Sequence, residues 1–93
     1  MSNVKRVYAD FQKVDDDRRL ILTTRGTMRD LAFFGIELQD GLILTFYSDD
    51  ADDSGNKDDL VVKGVVHYDR RSERWVAEIN WNEIKHESEI RAD

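Results

Sequence analysis

The sequence predicts a small, mainly β domain, a five-stranded antiparallel barrel or roll with one short helix between its second and third strands. Three observations carry that expectation. From Gly41 to Trp81 the chain reads GLILTFY, LVVKGVVHY and RWVAEINW, runs that follow the two-residue period of a strand. The acidic stretch SDDADDSGNKDD parts the first run from the second, so the three form a meander. Such a meander leaves one apolar face uncovered, and the first forty residues hold apolar material for a second layer.

From Val4 to Val14, Val7, Ala9 and Phe11 fall on one side of an extended chain and Tyr8, Asp10 and Gln12 on the other. That is the pattern of a strand wet on one face. Asp15, Asp16 and Asp17 then enforce a solvated turn. In RRLILTT, Leu20 and Leu22 oppose Arg19, Ile21 and Thr23, which predicts a second strand paired with the first as an antiparallel hairpin. At Thr27 the period changes. Thr27 stands three residues before Asp30, an arrangement in which a hydroxyl caps helical amides and a carboxylate favours the first turn. Met28, Leu31 and Ala32 share the i, i+3, i+4 face expected to be buried. Gly35 ends the helix after about two turns, because a residue without Cβ takes the left-handed conformation freely.

Asp40-Gly41 is turn chemistry. In the third strand Leu42, Leu44 and Phe46 are expected inside, opposed to Ile43, Thr45 and Tyr47. In LVVKGVVHY, Lys63 and His67 mark the wet side with Val61 and Val65, leaving Leu60, Val62 and Val66 for the core. Gly64 in that inner set predicts a bulge or sharp bend. Trp75, Ala77, Ile79 and Trp81 give the last strand its apolar face. Asp69 to Arg74 fits a hairpin loop, and NEIKHESEIRAD a weak helical turn passing, from about residue 85, into a polar tail. There is no proline, repeat or low-complexity linker, so residues 1–93 read as one domain. The architecture is similar to that of SH3-like barrels. This is an analogy of shape, and such barrels host many unrelated roles.

A domain of 93 residues buries about 60 to 65% of the surface that its unfolded chain exposes, so its core must be efficient. Nine aromatic residues supply much of that area: Tyr8, Phe11, Phe33, Phe34, Phe46, Tyr47, Tyr68, Trp75 and Trp81. With no cysteine, neither a disulfide nor a thiolate zinc site holds it together. MSNVKRVYADF lacks the apolar stretch of a secretory signal, and the longest apolar runs are too short to span a bilayer. The expectation is a cytoplasmic chain away from membranes. Its net charge of −6 is uneven: residues 1–29 hold seven basic and four acidic side chains, residues 30–59 one and nine, residues 60–93 six and seven. The −8 of the middle third repels a phosphate backbone and favours a basic partner.

The loop from Ser48 to Asp59 carries the one motif-like pattern. Asp50, Asp52, Ser54 and Gly55 match the opening of a calcium loop, in which alternating oxygens converge on a hard cation. The twelfth position from Asp50 is Val61, where an EF-hand needs a bidentate glutamate, and the flanks read as strands. A weak cation site through Asp50, Asp52, Ser54 and Asn56 competes with the plainer reading of a solvated, self-repelling loop that protects strand edges. His67 and His86 lack the spacing of a metal pair and read as an exposed strand residue and a tail residue. Arg70, Arg71 and Arg74 beside Trp75, with Arg25 and Arg29, form a candidate RNA surface, and otherwise solvated partners for Asp69 and Glu73. Ser48, Ser54, Ser72 and Ser88 have no nucleophile-elbow context, and the glycines form no phosphate cradle.

These readings rank a non-catalytic protein-interaction module first, with no cofactor, metal or catalytic residue assigned. It would present the acidic loop, with Tyr47 and Tyr68 beside it, to a protein with a basic surface or to a second copy of itself. A cation-responsive domain using Asp50 to Asn56 comes second and an RNA-associated accessory domain third. Trp75 and Trp81 are assigned to the core rather than to binding.

Overall fold

The computed structural model describes residues 5–51 and 53–91. Val4 of the expected first strand, Asp52 of the acidic loop, and Ala92 and Asp93 of the expected tail lie outside the described residues. The sheet contains β1 (Arg6–Tyr8), β2 (Leu20–Ile21), β3 (Ile43–Ser48), β4 (Leu60–Asp69), β5 (Arg74–Ile79) and β6 (Lys85–His86). Two helices, α1 (Arg25–Phe34) and α2 (Glu87–Arg91), and a 3₁₀ turn at Trp81–Glu83 complete it. Strand order is β1-β3-β4-β5-β2, with β6 added to β4. The result is a curled sheet forming a half-barrel.

The sheet is mixed, which corrects the expectation of antiparallel pairing throughout and leaves the SH3-like analogy unconfirmed. β1 runs parallel to β3, with Val7 opposite Phe46. Parallel neighbours need a long crossover, and residues 9–42, which contain β2 and α1, supply it. The expected hairpin between the first two strands survives only as a remnant. Val14 bridges Leu20, and the amides of Asp15 and Ile21 donate to the carbonyls of Arg19 and Lys13. One continuous stretch thus touches β3 with its start and β2 with its end. Because β1 and β2 stand at opposite ends of the strand order, this contact curls the sheet.

The alternating faces close on one core. Val7, Ala9, Leu20, Leu22, Leu31, Phe46, Val62, Val66 and Ala77 are buried together, with Phe11, Leu44, Trp75, Ile79 and Trp81 packed around them. Gly64 lies in the middle of the ten-residue β4, paired with Leu44 of β3 on one side and Ile79 of β5 on the other; both registers run through it unbroken, so the expected bulge is absent. Before it, β4 pairs with β3 and β6; from it onward, β4 pairs with β5, and with β3 as far as Val65. The chain leaves the ladder after Ile79, passes through the 3₁₀ turn and returns as β6. That detour brings Trp81 edge-on to Phe11, and its Nε1 donates to the Arg18 carbonyl at 3.0 Å.

α1 starts earlier than the sequence predicts. Thr24, not Thr27, is its N-cap, and Gly35 closes it in the left-handed conformation at φ 65°. Thr27 is fully buried one turn in, donating to the Tyr8 carbonyl at 2.6 Å. Asp30 accepts the Tyr8 amide at 2.9 Å. Two α1 side chains therefore satisfy the Tyr8 peptide groups as a neighbouring strand would. Seating the helix on Thr27, Asp30 and Leu31 turns Met28 and Ala32 out to solvent, which corrects the expected inward face.

Candidate functional site

The acidic stretch is built as a continuation of the β3–β4 hairpin rather than as an open loop. The amide of Asp58 donates to the Asp50 carbonyl at 3.0 Å, Ala51 bridges Lys57, and Gly55 makes the turn at φ 83°. Crowded carboxylates on a ladder repel one another, so the arrangement needs donors from elsewhere. They come from residues 85–91, the stretch expected to be a polar tail.

β6 lays His86 opposite Leu60, and the amide of Glu87 donates to the Asp59 carbonyl at 2.8 Å. From there His86 Nε2 meets Asp50 Oδ2 at 2.8 Å and Nδ1 meets Glu89 Oε1 at 3.3 Å. Ser88 uses both its amide and its hydroxyl on the Asp58 carboxylate, at 2.9 and 2.7 Å. Arg6 Nη1 ties Glu87 back to β1 at 2.7 Å. The hydrogen bond to Asp50 holds the His86 pKa above its ordinary value and the Asp50 carboxyl below its own. Glu89 is likewise lowered, first by the His86 amide. Asp59, buried behind the hairpin, is shifted the other way because burial disfavours its charged form. Residues 85–91 form a strap bonded to the base of the acidic hairpin at Asp50, Asp58 and Asp59, while Asp49 and Asp53 stay exposed and in no ion pair among the described residues.

The remaining sequence candidates are not drawn into this site. Tyr47 lies beside the hairpin, half-buried, with its hydroxyl 3.3 Å from Asp30 Oδ2 and its ring edge-on to Tyr8. Burial and the neighbouring Asp30 raise its pKa. Tyr68 is at the far end of β4, seven positions beyond the Val61 that faces Tyr47. At 3.3 Å per residue that is about 23 Å along the strand, and the odd spacing puts the two rings on opposite faces. The expectation that both tyrosines flank the acidic loop is thus corrected. Tyr68 packs edge-on against Trp75.

His67 faces Asp40 and Glu78 at 3.7 and 3.9 Å, also far along β4 from His86. Among the described residues no cluster of three or more His, Cys, Asp or Glu side chains is placed to hold a metal. Asp50 is taken by His86, and Ser54 and Asn56 have contacts of their own. Both His86 nitrogens point at carboxylates rather than at a hydroxyl. Arg70, Arg71 and Arg74 line a groove of about 480 Å³ whose other walls include Asp15, Asp16, Asp17 and Asp69. Arg19 sits among these, 2.8 Å from Asp15 and 3.4 Å from Asp69. The groove is balanced in charge and no ring lines it.

The sequence reading missed the strap. Its signal is faint: His86 and Ser88 fall on one side of an extended chain, but with no apolar side opposite to mark a strand. No helix among the described residues is long and apolar enough to cross a membrane. Compared with protein-family models, curated proteins and solved structures, the chain matches none.

Proposed function

We propose that this chain is a non-catalytic interaction domain that presents its acidic hairpin to a basic protein surface. The observation that carries the reading is the strap, because it ties down the base of the hairpin at Asp50, Asp58 and Asp59 before any partner arrives. A loop whose role is to stay solvated gains nothing from such fixing. A recognition element does, since ordering a flexible segment on binding costs about 0.5–1.5 kcal/mol per immobilised side chain. The −8 of residues 30–59 adds long-range attraction for a cationic partner.

Amide NMR of the labelled protein, titrated with a Lys/Arg-rich peptide, tests the proposal. Shifts are expected on residues 48–51, 53–59 and 85–90 at low salt. They should fade at ionic strengths of about 0.3 M and in Asp49→Asn/Asp53→Asn. Shifts confined to other surfaces, or indifferent to salt, would overturn it.

A further inference from the structure

α1 turns one face to solvent. Arg25, Met28, Arg29, Ala32 and Phe33 are all exposed, at the i, i+3, i+4, i+7, i+8 spacing of a single helical stripe. Phe33 is 79% and Met28 55% exposed, and Ala32 between them lets another backbone approach closely. Beside the stripe lies a hollow of about 390 Å³ walled by Met28, Leu31, Ala32, Ile36, Leu38 and Trp75, with Glu37 at its rim. A projecting ring and an apolar hollow on one surface are what a self-complementary contact requires, because a two-fold axis lets each copy fill the other.

Charge fixes the orientation. Arg25 and Arg29 belong to the first half of α1, and Glu37 follows its C-terminal end. Among the described residues Arg25 and Glu37 form no ion pair, while Arg29 reaches Asp30 at 3.3 Å. Two copies of α1 laid antiparallel about an axis between Asp30 and Leu31 set Met28 opposite the partner's Phe33 and Arg29 opposite the partner's Ala32. Arg25 then falls opposite the partner's Ile36 and Glu37. A parallel pairing would instead stack arginine on arginine.

We propose that a second copy of this chain docks on this face, through two-fold antiparallel pairing of α1 with each Phe33 entering its partner's hollow. The thioether of Met28 meets a phenyl ring, a favourable sulfur–aromatic contact. The acidic hairpin takes no part. Each copy carries −6, so overall repulsion and local Arg–Glu attraction respond oppositely to salt. Charge exchange is the sharper diagnostic.

Sedimentation equilibrium of the full chain, from about 10 µM to about 1 mM, tests the proposal. The mass should climb from monomer toward dimer with concentration. Phe33→Asp should weaken association by about tenfold or more. Phe33→Ser, which gives up only the edge-on contact with Phe34 and adds no charge at the end of α1, should weaken it likewise while lowering the monomer's melting only slightly. Arg25→Glu and Glu37→Arg should each weaken the dimer, and their combination should recover it. The Asp49→Asn/Asp53→Asn variant, which disables the hairpin, should dimerise normally. A monomer throughout, a dimer indifferent to Phe33→Asp, or a double variant no tighter than the single ones would each overturn the proposal.

Discussion

Replacing Gly64 by alanine sets two effects of opposite sign against each other. Gly→Ala usually stabilises by about 0.4–1 kcal/mol where the backbone allows it, because the unfolded chain loses freedom. Gly64 does not have a positive φ, so backbone strain does not interfere. Space does. A Cβ there would lie 2.8 Å from Ile79 Cγ2, 3.0 Å from Phe46 Cε2 and 3.2 Å from the Glu78 carbonyl oxygen. None of the three yields easily: Cγ2 sits on a β-branched carbon, the Phe46 ring is fully buried, and the carbonyl belongs to β5, which is paired with β4. Overpacking of this kind costs about 1–3 kcal/mol, so Gly64→Ala should destabilise by about 1–2 kcal/mol once the entropic gain is offset. For a domain of this size the melting temperature should fall by roughly 5–15 °C. Thermal and urea unfolding followed by circular dichroism measure it, with the urea m-value unchanged. Ile79→Ala removes the closest atom, so in that background the Gly64→Ala penalty should shrink by about 0.5 kcal/mol or more. A Gly64→Ala protein that melts at or above the parent would refute the tight packing around Gly64.

Thr27 offers a second test on stability. Thr27→Val keeps the shape but strips the Tyr8 carbonyl of its 2.6 Å donor, costing about 1–3 kcal/mol. Thr27→Ser keeps the hydroxyl and should cost about 1 kcal/mol for the lost methyl; urea midpoints that rank valine at or above serine would contradict the assignment. The strap should respond to pH through His86, which faces Asp50 on the hairpin, Glu89 on α2 and, more distantly, Asp58. Its pKa is raised on folding, so its contribution is complete below the ordinary histidine range and is lost as pH rises through the raised value. Asp50 and Glu89 are lowered, so theirs is complete above the ordinary carboxylate range and is lost as pH falls through the lowered values. The strap is therefore tightest between about pH 5 and pH 6.5. NMR titration of the His86 ring should show Asp50→Asn drawing its midpoint back down, and an unmoved midpoint would contradict the 2.8 Å contact.

Period-two alternation located most of the core; Val61 and Val76, on the faces expected to be wet, are buried as well, and Leu60, expected inside, is only half-buried. Val7, Leu20, Leu22, Phe46, Val62, Val66 and Ala77 are inside as the pattern requires, because parity alone decides which face a strand residue takes. Parity does not say which strand lies alongside. The parallel β1–β3 pairing therefore left no mark in the sequence, and the nearer antiparallel partner was the natural inference. Gly35 was legible because it marks a local geometric need, the left-handed end of α1, whereas Gly64 marks a tight fit against Ile79 and Phe46 rather than the expected bulge. The acidic hairpin was legible as charge but not as structure, since its stabilising donors, His86 and Ser88, stand 30 or more residues away in a stretch without apolar pattern. The tyrosines failed for a different reason: strand ends look alike in a sequence, and only the ladder shows that Tyr47 and Tyr68 occupy opposite ones.

The phase of α1 is set by polar groups, which an apolar stripe in the sequence does not reveal. Turning the helix to bury Met28 would recover no more than about 1.5–3 kcal/mol, the worth of burying such a side chain from full exposure; Met28 is already partly covered, so the real gain is smaller. The same rotation would withdraw Asp30 from the Tyr8 amide and from the Tyr47 hydroxyl, and Thr27 from the Tyr8 carbonyl. Each group left buried without a partner costs about 1–3 kcal/mol, so the observed seating wins by satisfying polar groups rather than by covering apolar ones. The edge of β1 is thereby sealed by side chains of α1, and Met28, Ala32 and Phe33 are left facing water. A hydrophobic stripe that the fold cannot cover without unsealing its own edge strand can be covered from outside at no such cost, and that asymmetry is what makes the α1 face a docking surface.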